Sequence, residues 1–375
     1  MIDPAHVVAH LANLGVDMYT GVPDSLLKEF GKHVMDALPR DQHIIAANEG
    51  ASVGIALGHY LRTGRPALVY LQNSGFGNTI NPLLSLADTE VYGVPMLLLV
   101  GWRGRPGVKD EPQHVKQGRV MTAMLDAMEL PYAVLPGESD AADVCITEAV
   151  ERAEADHTPY VILVEKDTFA TAEVSSGESE PSQLASREDA LKALATVVGD
   201  KAVIVSTTGM LSRELFEHRE TSGQSGARDF LTVGGMGHAS SIALGVAKQE
   251  PNREVWCFDG DGAMLMHLGS LAIIADHAPA NYLHVVFNNG VHDSVGGQPT
   301  SIHVVDIPEV ARATGYRHAE AVSDLEEVPD AVERLRKASG PALLELRVRP
   351  GNRHGIGRPT RTPAQSKLTF MDAVR

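Results

Sequence analysis

Two short apolar runs, each ending in a polar turn, constrain this chain more than any other feature. Glu254-Val-Trp-Cys-Phe258 leads into Gly260-Asp261-Gly262, and 25 residues further on Leu283-His-Val-Val-Phe287 has led into Asn288-Asn289. Both runs are short, β-branched and aromatic, and read as buried parallel strands. The carboxylate and the amides then lie at the carboxyl ends of two strands, the edge where open α/β sheets bind ligands. Gly260 and Gly262 permit a sharp turn and a close backbone approach to a phosphate. Asp261 and Asn289 offer hard oxygen ligands of the kind Mg²⁺ accepts while it keeps phosphate oxygens in its shell. Residues 263–280 supply a crossover helix whose N-terminus favours an anion.

The same framework is written twice. Ala51-Ser-Val-Gly-Ile-Ala-Leu-Gly58 echoes Ala239-Ser-Ser-Ile-Ala-Leu-Gly245, and Gly58 to Gly75 spans 17 residues, as does Gly245 to Gly262. Gln72-Asn-Ser-Gly75 therefore stands where Asp259-Gly-Asp-Gly262 stands in the second half, with Ser74 in place of the candidate metal carboxylate. This predicts a duplicated α/β sheet, one copy with a metal-diphosphate site and one without.

Residues 173–186 are polar, acidic and without periodicity, and read as a linker between domains spanning 1–172 and 187–375. The net charge of −16 argues against nucleic acid and anionic membrane as partners. Cys145 and Cys257 are the two cysteines, both in apolar runs, so no disulfide framework is implied and a reducing compartment fits. There is no basic, apolar leader and no run of the ~20 apolar residues a membrane span needs, so a cytoplasmic location is expected.

In the first half, His43–Ala47 reads as a strand and Asn48-Glu49-Gly50 opens a helix, where Glu49 on spacing alone is favourable company for the helix dipole. Asp24 or Ser25 fits the N-cap of a helix over 26–38. Gln72–Asn78 is a glycine-rich turn at a strand's carboxyl end. Residues 101–114 form a long loop holding Arg103, Arg105, Lys109 and His114, and loops of this length are usually functional. The end of the chain, with Arg353, Arg358, Arg361 and Lys367 amid glycine and proline, reads as irregular and basic.

A GDG followed at this spacing by NN resembles the signature of thiamine diphosphate-dependent decarboxylases. Gly21-Val-Pro-Asp-Ser25, Asn48-Glu-Gly50, Val108-Lys-Asp-Glu-Pro-Gln-His114, Gly234-Gly-Met-Gly-His-Ala239 and Asn288–Thr300 extend the resemblance over the whole chain. It is nearest to the short branch acting on phosphonopyruvate, with the sulfopyruvate branch next. The resemblance implies two related doubly wound parallel-sheet α/β domains, pyrimidine-binding then diphosphate-binding, with no middle domain. It also implies thiamine diphosphate and Mg²⁺ as cofactors and, as substrate, an anionic 2-oxo acid, 3-phosphonopyruvate, within phosphonate biosynthesis. Glu49 matches the glutamate that bonds the aminopyrimidine. Met236 matches the apolar wedge under the cofactor, and Gly234 a carbonyl acceptor. Thr208, Gly209, Met210, Gly262 and Ala263 would approach the diphosphate, Ala263 through its backbone alone where relatives often carry serine. Asp261, the Asn289 side chain and the Val291 carbonyl would hold Mg²⁺. His114, His292 and Asp293 are candidates for supplying a proton. Ser25, Asn73, Ser74 and Lys109, with a tail cation, are candidates for the phosphonate. The resemblance further implies a homo-oligomer, at least a dimer, with active sites at the subunit interface. Sulfopyruvate decarboxylation, carboligation on the same cofactor and a non-catalytic partner subunit are the competing readings.

Overall fold

The computed structural model describes residues 1–172 and 183–375. The chain divides into two compact units, Met1–Glu178 and Ser179–Arg375. Most of the expected linker, 173–182, lies outside the described residues. Beyond it, Ser186 already caps the helix Arg187–Val198, accepting from the Asp189 amide.

The first unit is built on strands β1 (Tyr19–Gly21), β2 (His43–Ile45), β3 (Leu68–Gln72), β4 (Met96–Gly101), β5 (Tyr132–Val134) and β6 (Pro159–Val164), all parallel, in the order β2-β1-β3-β4-β6-β5. The second carries β7 (Val203–Ser206), β8 (Asp229–Leu231), β9 (Val255–Gly260), β10 (Tyr282–Asn288), a small antiparallel pair β11 (Val291–His292) and β12 (Gln298–Pro299), then β13 (His318–Val322) and β14 (Ala342–Arg347). Its sheet runs β8-β7-β9-β10-β14-β13, again all parallel. Strand for strand, this is the order of the first sheet. The repeat read from small residues in two helices is thus a repeat of sheet topology, and Gln72 and Gly260 end equivalent strands.

Both sheets are covered on both faces, as parallel sheets require. In β4, Leu97 and Leu99 enter one buried cluster while Met96, Leu98 and Val100 enter another. In β9, Trp256 and Phe258 face one way and Val255 and Cys257 the other. Such alternation is the period-2 pleat of a strand buried on each side.

Several expectations are corrected. Residues 263–280 form no single helix: Asp261–Met266 and Ser270–His277 are separated where His267 leaves helical backbone angles. Its ring packs against Gly237, where an added Cβ would lie 2.6 Å away. The long loop ends early, because Pro112, with its φ preset, opens the helix Pro112–Ala127 and takes His114 and Lys116 into it. The tail is not irregular throughout. Thr362 and Gln365 make a capping box for the helix Pro363–Val374, whose Phe370 ring sits 5.5 Å from Phe230. Among the described residues, no helix is long and apolar enough to cross a membrane.

Candidate active site

In the first unit, the turns after β1, β3 and β4 converge. Asn48 caps the helix Glu49–Thr63 by accepting from the Ala51 amide, which sets Glu49 in the first turn. Glu49 is buried, and its Oε2 accepts from Asn78 Nδ2 at 2.7 Å. A Cβ added to Gly75 would lie 1.9 Å from Glu49 Oε1, so only glycine fits beside the carboxylate. Burial raises the Glu49 carboxyl above its ordinary range, and the Asn78 bond offsets part of that.

Asp24 is not the N-cap of the following helix, Lys28–Ala37, and neither is Ser25: the cap position falls to Leu27. The buried Asp24 carboxylate instead accepts from the Leu26 and Leu27 amides and from Gln72 Nε2. Ser74, exposed, donates to Gln72 Oε1 at 2.6 Å. Asn73 exchanges two bonds with the Arg103 backbone, at 2.8 and 3.1 Å. The Arg103 guanidinium donates to Ser25 Oγ at 2.8 Å and to Asp110 through Nε at 2.7 Å. Burial alone would raise the Asp110 carboxyl, but the bonds from Arg103 and from the Glu111 and Gly104 amides outweigh it and hold it well below the carboxylate range. Lys109 stays exposed. His114 is buried with Nδ1 unbonded, and burial, then the Arg103 charge, lower its pKa.

In the second unit, Gly209 lies at φ +102°, a conformation open to glycine, and turns the chain from β7 into the helix Met210–Ser222. Thr208, Gly209 and Met210 are each half-buried there, as are Gly234 and Met236 in the turn before the helix Ala239–Gln249. Asp261 follows β9 directly, buried, with Oδ2 accepting from Thr300 Oγ1 at 2.6 Å. Ala263 is buried beside it. Burial raises Asp261 to about 6, offset in part by Thr300 and by backbone amides, Asn289 among them. Asn289 accepts from the Val291 amide at 3.2 Å and donates to Asp293 Oδ2 at 2.7 Å. Asp293 also accepts from Arg187 Nη1 at 2.9 Å and from the Gly351 amide at 3.0 Å. Arg187 is buried and grips Glu214 with two further bonds, at 2.9 and 3.0 Å. His292 lies against the GDG turn: a Cβ on Gly262 would be 3.0 Å from its Cε1. Burial pushes His292 down to about 4, so it is neutral at pH 7.

A family model described as thiamine pyrophosphate enzyme, N-terminal TPP binding domain, matches residues 5–130, and one described as the C-terminal TPP binding domain matches residues 207–346. The chain is 38% identical over 390 residues to a phosphonopyruvate decarboxylase of Streptomyces viridochromogenes, spanning 100% of this chain and 95% of that one. The chain belongs to the thiamine pyrophosphate enzyme family. A phosphonopyruvate decarboxylase of Streptomyces hygroscopicus is 37% identical, over 99% of this chain and 94% of its own. A sulfopyruvate decarboxylase of Methanosarcina acetivorans is 26% identical, over 98% and 96%.

As in the sequence of a thiamine pyrophosphate enzyme, the two matched segments divide the candidate residues: Glu49 and the 72–78 turn fall in the first, and 208–210, 234–236, 261–263 and 289–293 in the second. Sequence reasoning passed over Asn78, Gln72, Arg187, Glu214 and Thr300. Asn78 and Thr300 lie inside motifs already quoted, where polar residues at a ligand edge are a signal. Arg187 and Glu214 lie in ordinary helices and carry none. The tail cation Arg353 is committed elsewhere, to Glu188 at 3.0 Å and Glu217 at 2.6 Å.

Proposed function

We propose that the protein is a thiamine diphosphate- and Mg²⁺-dependent carboxy-lyase that converts 3-phosphonopyruvate and a proton into phosphonoacetaldehyde and CO₂, a step of phosphonate biosynthesis. The observation that carries this reading is the match, over the whole chain, to relatives named for that reaction. The full-length match to a sulfopyruvate enzyme is weaker in identity and makes sulfopyruvate the second reading.

The second unit's donors fit a divalent cation. Asp261 is a buried carboxylate whose hydrogen-bond donors are all neutral, so its charge has no partner among them, and this is why burial raises it. A cation held by Asp261, Asn289 and the Val291 carbonyl would supply that charge. Thr208, Gly209, Met210, Gly262 and Ala263 would hold the diphosphate, and Gly234, Met236 and Glu49 the pyrimidine half. When bound, thiamine diphosphate supplies the electron sink that lets the carboxylate leave as CO₂. Glu49, its pKa raised by burial and its carboxylate fixed by the Asn78 bond, keeps its proton to higher pH than a surface glutamate does. For the proton the product needs, the neutral His114 and His292 remain, each able to take one from solvent and pass it on. Asp293, engaged on both oxygens by Arg187, Asn289 and Gly351, is better suited to holding Asn289. Ser25, Asn73 and Ser74 line one turn cluster with Arg103, and the exposed Lys109 is the cation nearest in sequence that is left for the phosphonate. The complete site would form in a homo-oligomer, between the first unit of one subunit and the second unit of another.

The test is CO₂ release from phosphonopyruvate, sulfopyruvate and pyruvate measured side by side. Phosphonopyruvate is expected to exceed pyruvate in specificity by ~10⁴-fold, since a site built for a charged group leaves donors unpaired without it. Sulfopyruvate as the better substrate would overturn the assignment. Glu49→Gln is expected to retain cofactor and lose ~10²–10⁴-fold in turnover.

A further inference from the structure

Beneath the GDG turn lies a polar cluster that the proposed reaction does not use. On adjacent parallel strands, His284 of β10 stands in register with Cys257 of β9, and Asp259, two residues along, shares the face of Cys257. All three side chains are at 0% exposure in the core. One ligating atom from each lies within 4.8 Å of the other two, the one such grouping among the described residues.

The unbonded atoms point to what the cluster lacks. Asp259 Oδ1 accepts from the Gly260 amide at 3.0 Å, but Oδ2 has no hydrogen-bond partner. His284 Nδ1 is engaged by the Tyr316 hydroxyl at 3.3 Å, but Nε2 has none. These two orphaned atoms face each other at 3.6 Å, too far for a hydrogen bond. A buried polar atom left so is expensive, and two facing each other in a core demand a third party. The separation matches one edge of a tetrahedron around an ion with bonds of ~2.0–2.3 Å, which places ligand atoms ~3.3–3.8 Å apart. In the tautomer that donates Nδ1–H to the Tyr316 hydroxyl, Nε2 carries the lone pair, and the ring is held as outer partners hold metal-bound histidines.

We propose that Cys257, Asp259 and His284 bind a transition-metal ion, zinc by the chemistry of the set. Thiolate, imidazole and carboxylate together select a borderline-soft divalent ion over Mg²⁺, which prefers oxygen alone. Binding releases the Cys257 proton to solvent, and one thiolate and one carboxylate then neutralise the divalent charge. A fourth ligand comes from water or from the Tyr282 hydroxyl, which neighbours the Cys257 sulfur. No substrate reaches a site at 0% exposure, so the ion is structural. It is taken up as the chain folds and resists chelation afterwards. It clamps β9 to β10 just before both strands end in the GDG and NN turns.

The experiment is elemental analysis of the full-length holoenzyme, produced without a histidine tag in zinc-supplemented medium and dialysed against EDTA before Mg²⁺ and thiamine diphosphate are restored. About one equivalent of zinc per chain is expected, falling to background in Cys257→Ser and His284→Gln. Should those variants fail to fold, wild-type protein grown in cobalt is expected to show a thiolate-to-cobalt charge-transfer band and the intense visible bands of a tetrahedral ion. Folded wild-type protein with less than about a tenth of an equivalent of any transition metal overturns the proposal. So does zinc that persists unchanged in a folded Cys257→Ser variant, and so does a cobalt form without the thiolate band.

Discussion

One buried cation, Arg187, holds the carboxylate that orients Asn289. Its Nη1 fixes Asp293, and Asp293 in turn takes the Asn289 amide hydrogen, which settles which way that amide points. Partners of this kind typically contribute ~10–100-fold in metal affinity. Arg187→Met should therefore weaken Mg²⁺ binding by about that factor in calorimetry with thiamine diphosphate, and Arg187→Lys should restore part of it. A loss of stability with Mg²⁺ affinity unchanged would make the network merely structural. Gly75 makes the same point about space. Its φ is an ordinary −86°, so no backbone strain demands glycine there; the Glu49 carboxylate does, at 1.9 Å from where a Cβ would be. Gly75→Ala should cut turnover ~10²-fold or more, as Glu49→Gln does, while the melting temperature moves far less than for a core truncation. Gly75 was legible as the partner of Gly262 in the repeat. Glu49 was legible through its family motif alone, because a carboxylate at a helix start is ordinary. Arg187 was not legible at all, since Glu214 and Asp293 reach it from distant parts of the chain.

The strands, at the level of elements, were readable because a sheet buried on both faces writes itself as unbroken apolar runs. Errors fell where polar chemistry sets the boundaries. Arg103 and Asp110 shape the turn after β4, and Pro112 starts a helix inside what reads as loop. The terminal helix had its signal in plain view, Thr362-Pro363 with Gln365, within a stretch whose glycine, proline and arginine read as irregular. The short edge strand β2 carries a pH dependence. Burial lowers His43 from 6.5 to about 4, with its ring bonded to the Tyr70 hydroxyl at 2.8 Å. The unfolded chain takes up a proton near pH 6.5 that the folded chain refuses until about 4. Stability from this group is thus fully present above 6.5 and falls as pH drops towards 4, by on the order of 2 kcal/mol after allowing for partial solvent access. Melting temperatures across that window should fall more steeply for the wild type than for His43→Gln, which cannot ionise. Parallel slopes would remove His43 as the cause.

For the molecule as a whole, Glu49 and Asp261 lie in different units, so the proposed oligomer has a test of its own. Co-expressed Glu49→Gln and Asp261→Ala chains, each inactive alone, should recover roughly a quarter of wild-type activity if each site draws one residue from each of two subunits, since half the dimers are mixed and each mixed dimer keeps one intact site. No recovery in proven mixed dimers would place both residues of a site in one chain. The duplicated sheet has a further consequence, for how the chain comes to fold. No strand of either main sheet pairs with a neighbour through a tight hairpin. Tyr19 meets Leu68, Met96 meets Pro159, and Leu283 meets Ala342. Every ladder must close a long loop before it gains anything, and non-local pairing of this kind makes folding slow. Until β6 and β14 arrive, the all-apolar β4 and the largely apolar β10 each have an open edge exposed to other chains. Synthesis at reduced temperature or with chaperones should therefore raise the yield of native protein more than any change to the surface of the finished fold.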